Sequence, residues 1–235
     1  MSTTQPPRGQ KPAQPIRGRQ RKEKPKNKKL SHSSRTWVNR QLNDPYVIAA
    51  KAAGYRSRAA FKLIQMDEKC ELLRPGMVVV DLGAAPGGWS QVAAAKLGGN
   101  GKIIAMDILD MPAVPGVTFF QADFTDEAAQ KTLLAELHGR RVDLVMSDIA
   151  PNTIGHPRTD HLRIMATAEM ALDFACEVLA PGGAFVCKFI QGGASGDLLK
   201  PLRANFEKVR NVKPPASRSD SAEMYIVATG FKPRA

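Results

Sequence analysis

Four charged residues, Lys62, Asp148, Lys188 and Glu223, each lie next to or within an apolar segment, and together they are termed the charged tetrad. Asp148 follows the run VDLVMS, Lys188 lies inside AFVCKFI, and Glu223 precedes MYIVATG. A lysine inside an apolar strand is unfavourable unless it is paired or functional. We therefore expect the tetrad to converge at a site where a lysine takes up a proton and carboxylates orient it.

This combination of charges suits one kind of chemistry. A ribose 2′-hydroxyl is a weak acid, and its attack on an activated methyl group requires removal of its proton and alignment of its oxygen. A lysine held out of water beside another cation can act as the base. The alternative is a structural ion-pair network at a sheet edge, which carries the same charges. The residues after Asp148, IAPN, include no aromatic residue for base stacking, which favours a hydroxyl over a base nitrogen as the target.

The elements that must position these residues alternate between strand and helix. Strands are predicted at 77–82, 102–108, 117–122, 142–147, 184–190, 208–213 and 223–229. Helices are predicted at 44–54, 57–73, 89–97, 126–137, 161–179 and 196–206. Several strands are apolar on both faces, which indicates a parallel sheet covered by helices on both sides. Only a loop joins the last two strands, so we expect them to pair antiparallel at one edge and to bring Glu223 beside the ends of the parallel strands.

The segment VVVDLGAAPGGWSQ, residues 78–91, joins the first strand to a helix through small residues. A dinucleotide fingerprint requires glycine where Ala85 stands, and a P-loop requires a GK pair that is missing. Backbone N–H groups at the start of the helix could hold a carboxylate. A ligand with an adenosine and a carboxylate therefore fits best, and S-adenosylmethionine (SAM) has both. The predicted contacts in this loop are Asp81, Gly83, Gly87 and Gly88.

Two further acids follow the next two strands. Asp107 ends the second strand, where an acidic side chain can accept hydrogen bonds from ribose hydroxyls. Asp123 follows the third strand and could bind the adenine amino group. The alternative for each is an N-cap or turn acid. Their positions at the ends of successive strands favour the nucleoside site.

Most of the positive charge lies at the N-terminus. The chain of 235 residues has a net charge of +12, of which residues 1–40 carry +11 together with five prolines. Such a composition predicts a disordered basic arm over residues 1–33, followed by one domain over 34–235. The arm could tether nucleic acid through its charge. The alternatives are a solvated tail and, less favoured because apolar residues are scarce there, a mitochondrial transit peptide.

Several classes of protein are disfavoured by the sequence. No apolar run approaches the roughly 18 residues of a membrane helix, and no signal peptide is visible. Three separated cysteines, Cys70, Cys176 and Cys187, fit a reducing cytoplasm rather than a disulfide framework or a metal site. We therefore expect a cytoplasmic protein with no membrane segment and no metal.

Five stretches together resemble the RrmJ/FtsJ family of SAM-dependent RNA ribose 2′-O-methyltransferases: RSRAAFKL, VVVDLGAAPGGWSQ, MSDIAPN, CKFIQG and EMYIVATG. The resemblance runs over residues 34–233 and implies a Rossmann-like SAM-dependent methyltransferase fold. It implies that the tetrad is catalytic, with Lys188 as the base, Asp148 and Glu223 positioning it, and Lys62 in support. The implied SAM contacts are Gly87, Trp89, Asp107, Asp123 and Asp148.

The short bacterial members, which the chain resembles most, methylate a uridine 2′-hydroxyl of 23S rRNA in the large ribosomal subunit. The resemblance therefore implies this substrate, and we expect a monomer. A tRNA anticodon-loop methyltransferase and a SAM-binding ribosome-assembly factor without turnover remain alternatives, although the intact tetrad disfavours the second. Cations and an aromatic residue near the site are predicted to contact RNA phosphates, or alternatively to be solvated charges: Lys51, Tyr55, Arg56, Arg58, Lys213 and Arg218.

Overall fold

The computed structural model describes residues 31–151, 155–190 and 195–233, in which three helices precede a largely alternating series of strands and helices. The helices are α1 (His32–Asn43), α2 (Pro45–Ala52), α3 (Ala60–Cys70), α4 (Gly88–Leu97), α5 (Glu127–Leu137), α6 (Pro157–Val178) and α7 (Ser195–Asn205). The strands are β1 (Val78–Leu82), β2 (Lys102–Asp107), β3 (Val117–Gln121), β4 (Val142–Ser147), β5 (Leu179–Ile190), β6 (Phe206–Val212) and β7 (Glu223–Phe231).

The strands form a mixed seven-stranded sheet in the order β3-β2-β1-β4-β5-β7-β6. Strands β1 to β5 pair in parallel, whereas β7 runs antiparallel to both β5 and β6. The predicted Rossmann-like methyltransferase fold with an antiparallel hairpin at one edge is confirmed, and β6 is the outermost strand of that hairpin. The strand order reverses between β1 and β4, which is where sheets of this kind bind ligands at the carboxyl ends of the strands.

Apolar side chains cover both faces of the sheet. On β1, Val79 packs into a core with residues of α3 and α4, whereas its neighbour Val80 packs into a second core with α5, α6 and α7. Successive strand residues point to opposite faces, so strands that are apolar throughout require a helical layer on each side. The two cores hold the carboxyl ends of the central strands in fixed positions.

Several element boundaries differ from the predicted ones, and three of these differences have a local cause. Helix α3 ends at Cys70 because Glu71 takes a left-handed backbone with φ of 52°. Helix α6 begins at Pro157, since proline has the backbone φ of a helix and needs no N–H partner in the first turn. Strand β5 begins at Leu179, which pairs with Val142 of β4 across an irregularity, so the predicted Pro-Gly-Gly helix stop lies within the strand.

The sequence pattern did not predict α1, which begins inside the predicted arm of residues 1–33. Ser31 caps this helix, because its Oγ accepts a hydrogen bond from the backbone N–H of Ser34 at 3.2 Å. The fold therefore begins at least two residues before the predicted boundary. Residues 1–30 of the predicted arm lie outside the described residues.

Candidate active site

Three members of the charged tetrad are positioned by the sheet. Asp148 directly follows β4, and its backbone N–H donates to the Leu82 carbonyl of β1 at 3.0 Å. Lys188 of β5 lies directly opposite Tyr225 of β7, and Glu223 lies two residues before Tyr225. Opposite residues of an antiparallel pair, and alternate residues of one strand, share a face. Lys188 and Glu223 therefore project on the face that α3 covers.

The structure brings the tetrad together as two ion pairs. Lys62 Nζ of α3 lies 2.6 Å from Glu223 Oε1. Lys188 Nζ lies 3.2 Å from Asp148 Oδ1 and also donates to the Asp148 carbonyl oxygen at 2.6 Å. The four side chains are between 10% and 22% exposed, so water screens these charges far less than it screens surface pairs. The result is a cluster of two cations and two anions that keeps only slight contact with solvent.

Tyr225 joins the two ion pairs and was not predicted as a site residue. Its hydroxyl accepts from Lys62 Nζ at 2.9 Å, and it lies 2.7 Å from Asp148 Oδ1 and 3.3 Å from Glu223 Oε1. Burial, with Asp148 and Glu223 adding to it, raises the pKa of Tyr225 well above its ordinary value. The hydroxyl therefore stays neutral and donates. Its place two residues after Glu223 puts it on the same face of the strand, but only the register of β7 with β5 brings it to Lys188.

Two neighbouring side chains hold this cluster in place. Ser217, in the loop before β7, donates from its hydroxyl to Glu223 Oε1 at 3.0 Å. The Trp89 ring packs 5.7 Å from the Tyr225 ring, and its indole N–H donates to the Ala59 carbonyl at 2.9 Å. Because the Trp89 side chain is buried and paired in this way, only its backbone at the start of α4 is available to a ligand.

The loop between β1 and α4 lies against the same edge of the sheet. Gly83 has φ of +75°, and a Cβ there would lie 2.8 Å from the backbone N of Ile149. Gly87 has φ of +105°, and a Cβ there would lie 2.9 Å from Met111 Sδ. Both positions therefore require glycine, for backbone conformation and for space. The loop thereby reaches the residue that follows Asp148, and the first N–H groups of α4 are not used by hydrogen bonds within the helix.

Asp81 is fully buried below this loop. The Ser90 hydroxyl donates to its Oδ2 at 2.6 Å, whereas Oδ1 is buried with no hydrogen-bond partner among the described residues. Burial raises the pKa of Asp81 to about 7, and the hydrogen bond from Ser90 opposes that rise. A buried carboxylate oxygen without a partner is costly, so Asp81 is suited to meet a positively charged ligand group.

The two predicted nucleoside acids differ in their surroundings. Asp107, half-buried at the end of β2, accepts from the backbone N–H groups of Ala85 and Leu109 at 2.9 and 2.8 Å. It therefore braces the glycine-rich loop, and each oxygen keeps one further lone pair for a ligand. Asp123 is exposed, and its Oδ1 caps a turn by accepting from the backbone and hydroxyl of Thr125. Both acids therefore act as turn acids, as the alternative predicted, and both can still bind a ligand.

Three of the cations predicted to contact RNA donate hydrogen bonds to backbone carbonyls. Arg56 donates to the carbonyls of Pro86, Pro112 and Ala113 at 3.3, 2.5 and 2.7 Å. Lys213 donates to the carbonyls of Ser219 and Ser221. The third, Arg58, pairs with Asp44 at 2.6 Å and donates to the Ala216 carbonyl, while Arg218 lies 3.9 Å from the same Asp44. These side chains shape the loops around the site, and only their remaining donors are available to RNA.

The described part of the chain contains neither a group of three or more His, Cys, Asp or Glu side chains that could hold a metal ion nor a helix long and apolar enough to cross a membrane. The three cysteines are free thiols. Burial raises the pKa of Cys187, beside Lys188 in β5, to about 12, so this thiol stays protonated.

A known protein family matches most of this chain. Residues 55–231 match the FtsJ-like methyltransferase family. The chain belongs to that family. The matched FtsJ-like range contains the whole charged tetrad, Tyr225 and the glycine-rich loop, and the predicted resemblance is confirmed.

Relatives of this FtsJ-like chain match it over nearly its whole length. A protein from Azorhizobium caulinodans named "Ribosomal RNA large subunit methyltransferase E" is 61% identical over 205 residues, which cover 86% of this chain and 85% of the relative. One of the same name from Xanthobacter autotrophicus is 55% identical over 232 residues, covering 97% and 89%. A solved structure assigned to the ribosomal RNA methyltransferases, from Plasmodium falciparum, superposes with a TM-score of 0.68 at 29% identity, covering 77% of this chain and all of that one.

Proposed function

We propose that the protein transfers a methyl group from SAM to the ribose 2′-hydroxyl of a uridine in the 23S rRNA of the large ribosomal subunit, with Lys188 as the general base. The observation that carries this proposal is the convergence of two lysines and two carboxylates beside the glycine-rich loop. The names of the two bacterial relatives support the choice of large-subunit rRNA as substrate.

The residues beside the loop fit SAM. The N–H groups at the start of α4 suit its carboxylate, and the unpartnered Oδ1 of Asp81 suits its ammonium group. Gly83, Gly87 and Gly88 let the loop pack closely against Ile149, Met111 and Ser57, which fixes the backbone that would hold the ligand. Asp107 and Asp123 stand where ribose and adenine would lie at the ends of β2 and β3. SAM, when bound, supplies a methyl group on a positively charged sulfur.

Lys188 is placed to take the proton of the attacking hydroxyl. A neutral amine has two N–H groups and one lone pair, and the two N–H groups can be used by Asp148 through its Oδ1 and its carbonyl oxygen. The lone pair is then left to accept the proton as the 2′-oxygen bonds to the methyl carbon and the bond between that carbon and the sulfur breaks. Lys188 becomes an ammonium ion that Asp148 stabilises. Lys62, held in place by its ion pair with Glu223, supplies a second positive charge near the attacking oxygen.

RNA binding, oligomeric state and cellular location complete the proposed function. The basic arm, residues 1–33, would tether rRNA through its phosphates, and the unused donors of Arg58 and Arg218 would contact RNA beside the site. The protein would act as a monomer in the cytoplasm, where ribosomal subunits are assembled in bacteria.

The experiment that tests this function offers labelled SAM and the purified protein to three substrates: large subunits from cells that lack the enzyme, naked 23S rRNA and tRNA. Methylated nucleotides are then mapped by resistance to alkaline cleavage, which a 2′-O-methyl group confers. We expect label at one uridine of 23S rRNA. Label in the anticodon loop of tRNA would favour the tRNA alternative, and binding of SAM without transfer to any of the three RNAs would favour an assembly factor without turnover.

A further inference from the structure

We propose that Tyr225 is a positioning residue that orients the general base through Asp148 and couples the two ion pairs of the tetrad; this inference rests on the proposed function. The directions of its hydrogen bonds follow from chemistry. An ammonium group only donates, so Lys62 must donate to the Tyr225 oxygen at 2.9 Å. The single hydroxyl proton then goes to Asp148 Oδ1 at 2.7 Å, because Glu223 Oε1 is more distant at 3.3 Å.

This arrangement makes Asp148 Oδ1 the point at which the two halves of the site meet. It accepts from the Tyr225 hydroxyl on one side and from Lys188 Nζ at 3.2 Å on the other. The Tyr225 hydroxyl fixes the carboxylate, and the carboxylate fixes one N–H of Lys188. Since the Asp148 carbonyl takes another N–H at 2.6 Å, the direction of the remaining lone pair is set. Tyr225 thus acts on the reacting proton without touching it.

The surroundings of Tyr225 leave no substitute for its hydroxyl. The side chain is fully buried, its ring packs against Trp89 at 5.7 Å, and Lys62 Nζ lies 5.3 Å from the ring centre. The charged groups that face it are Lys62 from α3, Asp148 after β4, and Glu223 from its own strand. A phenylalanine at this position keeps the packing but leaves Lys62 and Asp148 each without one hydrogen bond.

The test compares methyl transfer in single turnovers at saturating SAM and RNA for the wild type and Tyr225→Phe. We expect the rate to fall about tenfold to a hundredfold, the range for hydrogen bonds to charged groups, while the Kd values for SAM and for RNA stay within about twofold. Tyr46→Phe is the matched control, since the Tyr46 hydroxyl also has a side-chain partner, Gln65 at 3.3 Å, outside the tetrad. Its rate should stay within about twofold of the wild-type rate.

A double variant tests the coupling itself. If Tyr225 links Lys62 to Asp148, the variant carrying both Tyr225→Phe and Lys62→Met should be little slower than Lys62→Met alone, because residues in one network are not additive. Effects that multiply would overturn the coupling, and an unchanged Tyr225→Phe rate, or weakening of SAM and RNA binding in proportion to the rate, would overturn the positioning role. Failure of the wild type to methylate any 2′-hydroxyl would instead contradict the proposed function.

Discussion

The buried carboxyl of Asp81 should make the stability of the ligand-free protein depend on pH in an unusual direction. Burial raises the pKa of Asp81 from 3.8 to about 7 in the folded protein. Between about pH 4 and pH 7 the folded carboxyl keeps its proton while the unfolded one has lost it, so the free energy of unfolding falls as pH rises. At about 1.36 kcal/mol per unit, the loss totals about 4 kcal/mol, of which about 3 kcal/mol falls between pH 5 and pH 7.

Asp81→Asn should remove this dependence, because asparagine cannot ionise and its side-chain oxygen can still accept from Ser90. Urea unfolding of both proteins without SAM at pH 5, 6, 7 and 8 measures the difference in the free energy of unfolding. Relative to the wild type, the variant should gain about 3 kcal/mol in the free energy of unfolding between pH 5 and pH 8. Asp173→Asn, which changes an exposed acid on α6, is the control and should leave the difference constant. A constant difference for Asp81→Asn would refute the buried-carboxyl account.

Three other changes separate structural contacts from ligand contacts. Arg56→Lys should raise the KM for SAM about tenfold and leave the KM for RNA within about twofold in steady-state kinetics, because one ammonium group cannot hold three carbonyls in the fork of a guanidinium; a rise confined to the KM for RNA would contradict this. Gly83→Ala should weaken SAM binding in calorimetry much more than Gly98→Ala. Both glycines have a positive φ, but only a Cβ at Gly83 would meet Ile149. Equal effects would disprove the close approach of the Gly83 backbone to Ile149. Deletion of residues 1–30 should reduce the slope of log K for RNA against log salt, whereas an unchanged slope would exclude a tether.

The fold and the tetrad could be predicted because strong local signals mark them. Strands that are apolar on both faces require two helical layers, and chain order then places the end of each parallel strand at one edge. A charged residue inside such a strand, such as Lys188, or directly after one, such as Asp148, is unfavourable unless it serves a functional site. The pairing of β7 with β5 brought Glu223 to the same edge, as expected from the loop between the last strands.

Other features depended on contacts that no local pattern specifies. In the sequence, Tyr225 resembles an ordinary core aromatic residue. Only the register of β5 and β7 places it opposite Lys188. Arg56 reads as a free cation until two separate loops bring their carbonyls to its guanidinium. Helix α1 carries mostly polar residues and so lacks the apolar periodicity that identified the other helices. In each case tertiary structure, rather than the residue and its neighbours in sequence, decides the role.

The measurement that tests the central claim most directly is single-turnover methyl transfer to large-subunit rRNA by the wild type and by Lys188→Met, with the product nucleoside identified by mass spectrometry. The account predicts 2′-O-methyluridine from the wild type, and a loss of about a hundredfold or more in the variant, the usual contribution of a general base, with the Kd for SAM within about twofold. A methyl group on a base, or a Lys188→Met rate close to the wild-type rate, would contradict it.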